Sequence, residues 1–219
     1  MNFIDIKWPE TLFITGIGTD VGKSYATGWL AREIAAAGHS VTTQKFVQTG
    51  NTDQSEDIMI HRKIMRIAPT TLDLTKITAP LLYSYPASPH LAAKIDNAEV
   101  NISLVNEATN VLHKHYKHVL IEGAGGLMVP LKGEYLTIDY IKEHKLPVIL
   151  VTNGALGSIS DTLTSLYVMA HYHLNIFGVI YNPYFDKDKK IAADTKEYLK
   201  DWVLSHYPDT LWFEMPDSL

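Results

Sequence analysis

The sequence predicts an α/β fold, a mostly parallel sheet with helices on both faces. Two observations carry that prediction. Short apolar runs alternate along the chain with longer amphipathic ones, as repeated βα units require. Polar residues then recur at the ends of the apolar runs, where an open parallel sheet forms its ligand crevice.

Taken in order, Thr11–Thr15 (TLFIT) reads as a buried first strand. Ser24–Ala37 follows as a helix: Ala26, Leu30, Ile34 and Ala37 share one face, and Gly38 is placed to stop it. Val41–Val47 is the second strand and Asp53–Ile67 a helix. The stretch Pro80–Pro89, rich in Pro and Tyr, is irregular, and Pro89–Asp96 and Ile102–Tyr116 are helical. His118–Ile121 is a strand running into the glycine-rich turn Glu122–Gly126. Thr137–His144 is a short helix and Pro147–Thr152 a strand. Helix Ser158–His171, strand Ile176–Tyr181, helix Lys189–His206 and a short strand at Leu211–Phe213 complete the pattern. With no internal repeat and no linker, residues 1–219 read as one domain.

Bulk properties narrow the function. Hydrophobic residues make up 46% of the 219, enough for a substantial core. The net charge of -5 is spread along the chain, which disfavours the phosphate backbone of a nucleic acid as a partner. There are no cysteines, so disulfide and thiolate chemistry are excluded, and a reducing compartment, the cytoplasm, is expected. The segment MNFIDIKWPE carries Asp5 and Glu10 and lacks the apolar core of a signal peptide. Apolar runs such as Pro147–Val151 are too short to cross a bilayer, so no membrane partner is expected.

The strongest chemical signal is Gly16-Ile-Gly-Thr-Asp-Val-Gly-Lys-Ser24, set between a strand and a helix. Glycines allow a tight turn whose backbone N–H groups point at a polyphosphate. The helix N-terminus adds partial positive charge, Lys23 reaches the terminal phosphates, and Ser24 can offer its hydroxyl to magnesium. The chain is thereby expected to have a P-loop NTPase fold. The spacing departs by one residue from G-x-x-x-x-G-K-[ST], since Ile17 follows Gly16.

Lys45, Thr49, Glu122, Asn153 and Asn182 all stand at or just beyond strand ends, on the edge that carries the glycine turn. Magnesium takes oxygen ligands, commonly one or two carboxylates. Glu122, entering a Gly-Ala-Gly-Gly turn, is one candidate. Asp57 is the second, with Glu56 its competitor and a solvated first-turn acid its ordinary alternative. Lys45, at the end of an apolar strand, must meet an anion or snorkel to water. Two lysines on one polyphosphate would stabilise charge during phosphoryl transfer. His113, His115 and His118 form a local cluster expected to be a solvated surface rather than a metal site.

These residues resemble one family, the ATP-dependent dethiobiotin synthetases. The matching pieces are Gly-Thr-Asp-Val-Gly-Lys-Ser (18–24), Gln-Lys-Phe-Val-Gln-Thr-Gly (44–50), Glu-Asp (56–57) and Ala-Ser-Pro-His (87–90). Ile-Glu-Gly-Ala-Gly-Gly (121–126), Pro-Val-Ile-Leu-Val (147–151), Leu-Gly-Ser-Ile (156–159) and Asn182 follow in family order. Phe46, Ser24 and Thr49 stand where the family more often has Pro, Thr and Ser.

The resemblance implies 7,8-diaminopelargonic acid, carbon dioxide and ATP as substrates, with Mg2+. Carried over by motif, Lys23 and Lys45 would stabilise the carbamate and the transferring phosphate, and Ser24, Asp57 and Glu122 would hold magnesium. Asp20, Val21, Gly22, Lys23, Ser24 and Tyr25 would wrap the phosphates together with Glu122, Gly123, Ala124 and Gly125. Asn182 and Pro183 would face the base, and Thr49 the substrate. A homodimer is implied, with the substrate carboxylate near the partner subunit's 154–159 loop, including Gly157 and Ser158. The sequence stops at Glu214-Met-Pro-Asp-Ser-Leu219, where many members continue and finish the base pocket, so ATP, CTP and GTP stay open.

Two other readings fit a P-loop. A ParA- or MinD-like ATPase usually carries a further lysine early in the loop, where this chain has Gly18. A nucleotide-binding regulator would have no need of Lys45 beside Asp57 and Glu122. A cobyrinate-type amide synthase needs a nucleophilic cysteine, which the chain lacks.

Overall fold

The computed structural model describes residues 2–218; Met1 and Leu219, the two ends of the sequence read above, lie outside them. Its strands are β1 (Thr11–Gly16), β2 (Val41–Lys45), β3 (Gln48–Thr49), β4 (Leu82–Tyr83), β5 (His118–Glu122), β6 (Pro130–Lys132), β7 (Tyr135–Leu136), β8 (Val148–Asn153), β9 (Ile176–Asn182) and β10 (Leu211–Glu214). The helices are α1 (Lys23–Ala36), α2 (Glu56–Met65), α3 (Thr71–Leu74), α4 (Pro89–Ile95), α5 (Ile102–Leu112), α6 (Thr137–Glu143), α7 (Ser158–His171) and α8 (Lys189–His206), with a 3-10 turn at Pro183–Phe185. Among the described residues no helix is long and apolar enough to cross a membrane.

Six strands form one sheet in the order β10-β9-β8-β1-β5-β2, every pair parallel. Because side chains alternate along a strand, β1 supplies both layers. Leu12 and Ile14 pack with Trp29, Leu30 and Ile34 of α1, while Phe13 packs in the opposite layer with Leu112, Leu166 and Leu199 of α5, α7 and α8. Full burial of such a side chain is worth about 1.5–3 kcal/mol. A strand apolar on both faces therefore belongs at the sheet centre, where β1 lies.

The expected α/β architecture is present, and its boundaries differ where local chemistry intervenes. The second strand stops at Lys45 rather than Val47. Phe46 N–H makes the last bond to β5, at Glu122 O (2.8 Å), while Lys45 N–H, on the outer edge of the sheet, donates to Thr78 O (2.7 Å). Gln48–Thr49 then pairs separately, in parallel, with Leu82–Tyr83, inside a region expected to be irregular. The helix expected over Asp53–Ile67 contracts to α2. Ser55 accepts from Ile58 N–H at its start, and Arg66 adopts φ 58° at its end. Helix α5 ends at Leu112, short of Tyr116.

One expectation is corrected outright. His118 is not solvated: it is 2% exposed, at the start of β5. Its Nδ1–H donates to Pro9 O at 2.8 Å, so Nε2 carries the lone pair, buried without a partner among the described residues. Burial holds His118 below the ordinary imidazole range; the Pro9 carbonyl opposes this, and nearby His39 and Lys117 add to it. The unfolded chain therefore binds the extra proton first, and the stability this histidine contributes is lost as pH falls below about 6.5. Urea unfolding between pH 7.5 and 5 should show the wild type losing more stability than His118→Gln. Parallel pH profiles would contradict this.

Candidate active site

The cavity lies at the C-terminal edge of the sheet and has a volume of about 640 Å³. The turn after β1 forms one wall. Gly22 caps α1 with φ 85°, and a Cβ there would stand 2.2 Å from the Asn182 amide nitrogen. Glycine is thus required both by the backbone and by the close approach of β9. Asn182 Nδ2–H donates to Val21 O (3.1 Å) while its Oδ1 accepts from Tyr184 N–H (3.1 Å), tying the glycine turn to the loop after β9. The first-turn N–H groups of α1 have no acceptor within the helix and face the same space.

Five of the expected residues converge here. Ser24 Oγ lies 2.7 Å from Asp57 Oδ1 and 3.0 Å from Glu122 Oε1. Lys45 Nζ donates to Glu122 Oε1 (2.7 Å) and to Gly123 O (3.2 Å), and also pairs with Asp57 Oδ2. Lys23 Nζ folds back onto Gly18 O at 2.7 Å. Burial first, and then repulsion from Lys45, bring the Lys23 ammonium down to about 8. Burial alone would also depress Lys45, but the carboxylates of Glu122 and Asp57 outweigh it and the net shift is upward. Glu122 is 1% exposed; burial resists its ionisation, yet Lys45 and His61 hold its carboxyl well below the usual carboxylate range.

The start of α2 places Glu56 and Asp57 differently. Asp57 faces Ser24 and Lys45, whereas Glu56 is exposed at the rim. Asp20, Gly22, Tyr25, Thr49, Ala124, Gly125 and Asn182 line the cavity, with Tyr184, Phe185, Met215, Pro216 and Asp217 at its far end. The chain's own last described turn therefore forms part of this end. Val21 puts its side chain in the core and Gly123 contributes a carbonyl, so neither lines the cavity by its side chain. Pro183, Gly157 and Ser158 do not line it either. Ser158 Oγ donates to Asn153 O and Ala155 O at 2.7 Å, fastening the start of α7.

Sequence reasoning missed His61 and Arg62. His61 Nε2 is 2.5 Å from Glu122 Oε2 and its Nδ1 is 2.9 Å from Thr43 Oγ1. Arg62, 2% exposed, donates to Asp73 Oδ1 and Oδ2 (2.8 and 2.9 Å) and to Thr43 Oγ1 (2.8 Å). Thr78 also donates to Asp73 (2.8 Å), and Thr78 O accepts the Lys45 N–H, so this ion pair fixes the strand end from which Lys45 projects. The legible signal was spacing: Asp57 and His61, one helical turn apart, must share a face of α2.

As a donor set, Ser24 Oγ lies within hydrogen-bond reach of two anionic oxygens, Asp57 Oδ1 and Glu122 Oε1. Those are ligands a hard cation such as magnesium accepts. A phosphate-binding turn, two buried ammonium groups and this oxygen set on one sheet edge define a P-loop nucleotide-dependent enzyme. Comparison with known proteins agrees. The AAA domain family model matches residues 10–202. The ParA family ATPase of Chlorobium tepidum superposes with a TM-score of 0.51 at 18% identity, covering 95% of this chain and 85% of that one. MinD in the Aquifex aeolicus MinC:MinD complex gives 0.55 at 14%, covering 96% and 82%; both show the fold alone.

Sequence relatives are closer. ATP-dependent dethiobiotin synthetase BioD 2 of Pasteurella multocida is 45% identical over 96% of this chain and 98% of its own length. The corresponding protein of Haemophilus ducreyi is 45% identical over 94% and 98%. BioD of Chlorobaculum tepidum is 43% identical over 87% and 80%. The chain belongs to the ATP-dependent dethiobiotin synthetase family, ligases of biotin biosynthesis.

The Arg62–Asp73 pair gives a stability test. Removing one partner of a buried pair leaves the other charge uncompensated, at a cost of about 3–5 kcal/mol. Asp73→Asn should lower the urea midpoint correspondingly with an unchanged m-value. A midpoint equal to wild type would mean the pair is not holding β2, α2 and α3 together.

Proposed function

We propose that this chain closes the ureido ring of dethiobiotin from 7,8-diaminopelargonic acid and carbon dioxide, using ATP with magnesium, as a cytoplasmic homodimer whose partners are small molecules rather than nucleic acid or membrane. The observation that carries the reading is the meeting of Ser24, Lys45, Asp57 and Glu122 within 2.7–3.0 Å contacts beside the glycine turn. The family relationship supplies the substrates. Absence of cysteine supports the compartment, and the acidic balance supports the exclusion of nucleic acid.

One substrate amine adds to carbon dioxide, forming a carbamate and releasing a proton. A carbamate oxygen attacks the γ-phosphorus as the bond to ADP breaks, giving a mixed anhydride. The second amine attacks the carbonyl carbon, closes the ring and expels phosphate. Magnesium, when bound, neutralises phosphate charge. Ser24, Asp57 and Glu122 hold it, and Asp57 and Glu122 also hold the Lys45 ammonium at the reacting end. Lys23 and Lys45 stabilise charge on the carbamate and the transferring phosphoryl group, where positioning and electrostatics supply most of the rate.

The N–H groups of residues 20–25 cradle the phosphates, and the 122–125 turn wraps them from the other side, anchored by the Gly123 N–H donating to Ile14 O (2.9 Å). Asn182 faces the base, beside the Tyr184–Phe185 edge-to-face pair at the cavity end, and Pro183, outside the cavity lining, takes no part in that contact. Thr49 contacts the diamine. Gly157 and Ser158 lie outside this cavity, which suits a role toward the partner subunit's substrate carboxylate: Gly157 (φ 100°) opens the fourteen-residue helix α7, whose first N–H groups suit an anion.

Lys45→Ala should keep the fold and ATP binding, and should lower phosphate release in the presence of diamine and bicarbonate by about 10²-fold or more. Wild-type turnover in that variant would remove Lys45 from the reaction. Phosphate release by the wild type that ignores the diamine would instead favour a ParA-like ATPase, and no release a regulator.

A further inference from the structure

Glu122 uses its two oxygens for different purposes. Oε1 faces Ser24 Oγ and Lys45 Nζ at 3.0 and 2.7 Å, on the side of the cavity. Oε2 faces away, 2.5 Å from His61 Nε2, and the His61 side chain is fully buried. An ionised carboxylate only accepts, so Nε2 bears the proton in this contact. On the far side of the ring, Arg62 can only donate to Thr43 Oγ1 (2.8 Å). Thr43 Oγ1 lies 2.9 Å from His61 Nδ1, so the ring is held on both sides, by Thr43 and by Glu122.

The backbone explains how a helix reaches so deep. Gly28 of α1 lies against α2, and a Cβ there would sit 3.1 Å from His61 Cα and 3.1 Å from Ile64 Cβ. The missing side chain allows the two helices to approach, and His61 is the residue delivered to the strand ends.

We propose that His61 is a positioning residue for Glu122: by occupying Oε2 it fixes the carboxylate so that Oε1 alone is presented to Ser24, Lys45 and the cation. The proposal rests on the reading of Glu122 as a metal ligand, and it assigns His61 no contact with substrate. Partners of this kind commonly contribute 10–100-fold to metal affinity.

The test is binding of Mn2+ as a magnesium substitute, followed by electron paramagnetic resonance, to the full-length protein with a non-hydrolysable ATP analogue. Four proteins are compared: wild type, His61→Leu, His61→Gln and Glu122→Gln. The expected result is a 10–100-fold weaker Mn2+ affinity in Glu122→Gln and about 10-fold or more in His61→Leu. His61→Gln, whose amide can still donate to Oε2, should recover most of the loss, and the nucleotide affinity without metal should stay at the wild-type value. Should Glu122→Gln weaken Mn2+ binding while both His61 variants bind like wild type, the positioning role is wrong and the metal reading stands. Unchanged affinity in Glu122→Gln overturns both. If His61→Leu fails to fold, the glutamine variant alone decides: near wild-type affinity supports the proposal, and a loss as large as that of Glu122→Gln overturns it.

Discussion

Lys45 places a fully charged ammonium group where water cannot screen it, and the surrounding architecture meets that demand. Asp57 from α2 and Glu122 from the end of β5 flank the nitrogen, and the Gly123 carbonyl takes a further donor. The buried Glu122 carboxylate stays ionised because Lys45 and His61 face it, and the lysine stays charged because Glu122 and Asp57 face it. Parallel pairing of β2 with β5, in the register Lys45 opposite Glu122, brings the two together. The sheet topology thus sets the electrostatics of the site before any ligand arrives.

Around this pair the remaining chemistry is arranged by short connections. The glycine turn can approach β9 only because Gly22 lacks a Cβ, and Asn182 exploits that proximity by accepting Tyr184 N–H while donating to Val21 O. Behind the carboxylates, Arg62 and Asp73 pin the end of β2, and His61 takes the outward oxygen of Glu122. The reacting edge is polar and rigid, and the layers beneath it are apolar on both sheet faces. Catalysis that depends on preorganised charge needs such a division.

Much of this was legible in residue order. The βα alternation predicts the parallel sheet, since strands buried on both faces read as continuous apolar runs. Gly16–Ser24, Lys45 and Glu122 were identifiable because charged or glycine residues interrupt such runs at strand ends, whereas Asp57 opens a helix, where spacing left Glu56 equally open. The small β3–β4 sheet was not legible: Gln48–Thr49 and Leu82–Tyr83 are too short for any period to register, and their pairing is non-local. His61 and Arg62 were hidden for a different reason. On a helix surface, buried polar residues resemble exposed ones until the neighbouring helix is known, and Gly28 is what brings it close. His118 misled because its neighbours His113 and His115, with Lys114 and Lys117, suggested a solvated patch, whereas β5 begins there and buries it.

The most direct measurement is a crystal structure of the protein with magnesium and a non-hydrolysable ATP analogue. The prediction is one triphosphate with Lys23 Nζ and Lys45 Nζ both within hydrogen-bond distance of its oxygens, and a cation about 2.1 Å from oxygens of Asp57 and Glu122. A nucleotide bound elsewhere, or Lys23 and Lys45 directed into separate cavities, would contradict it.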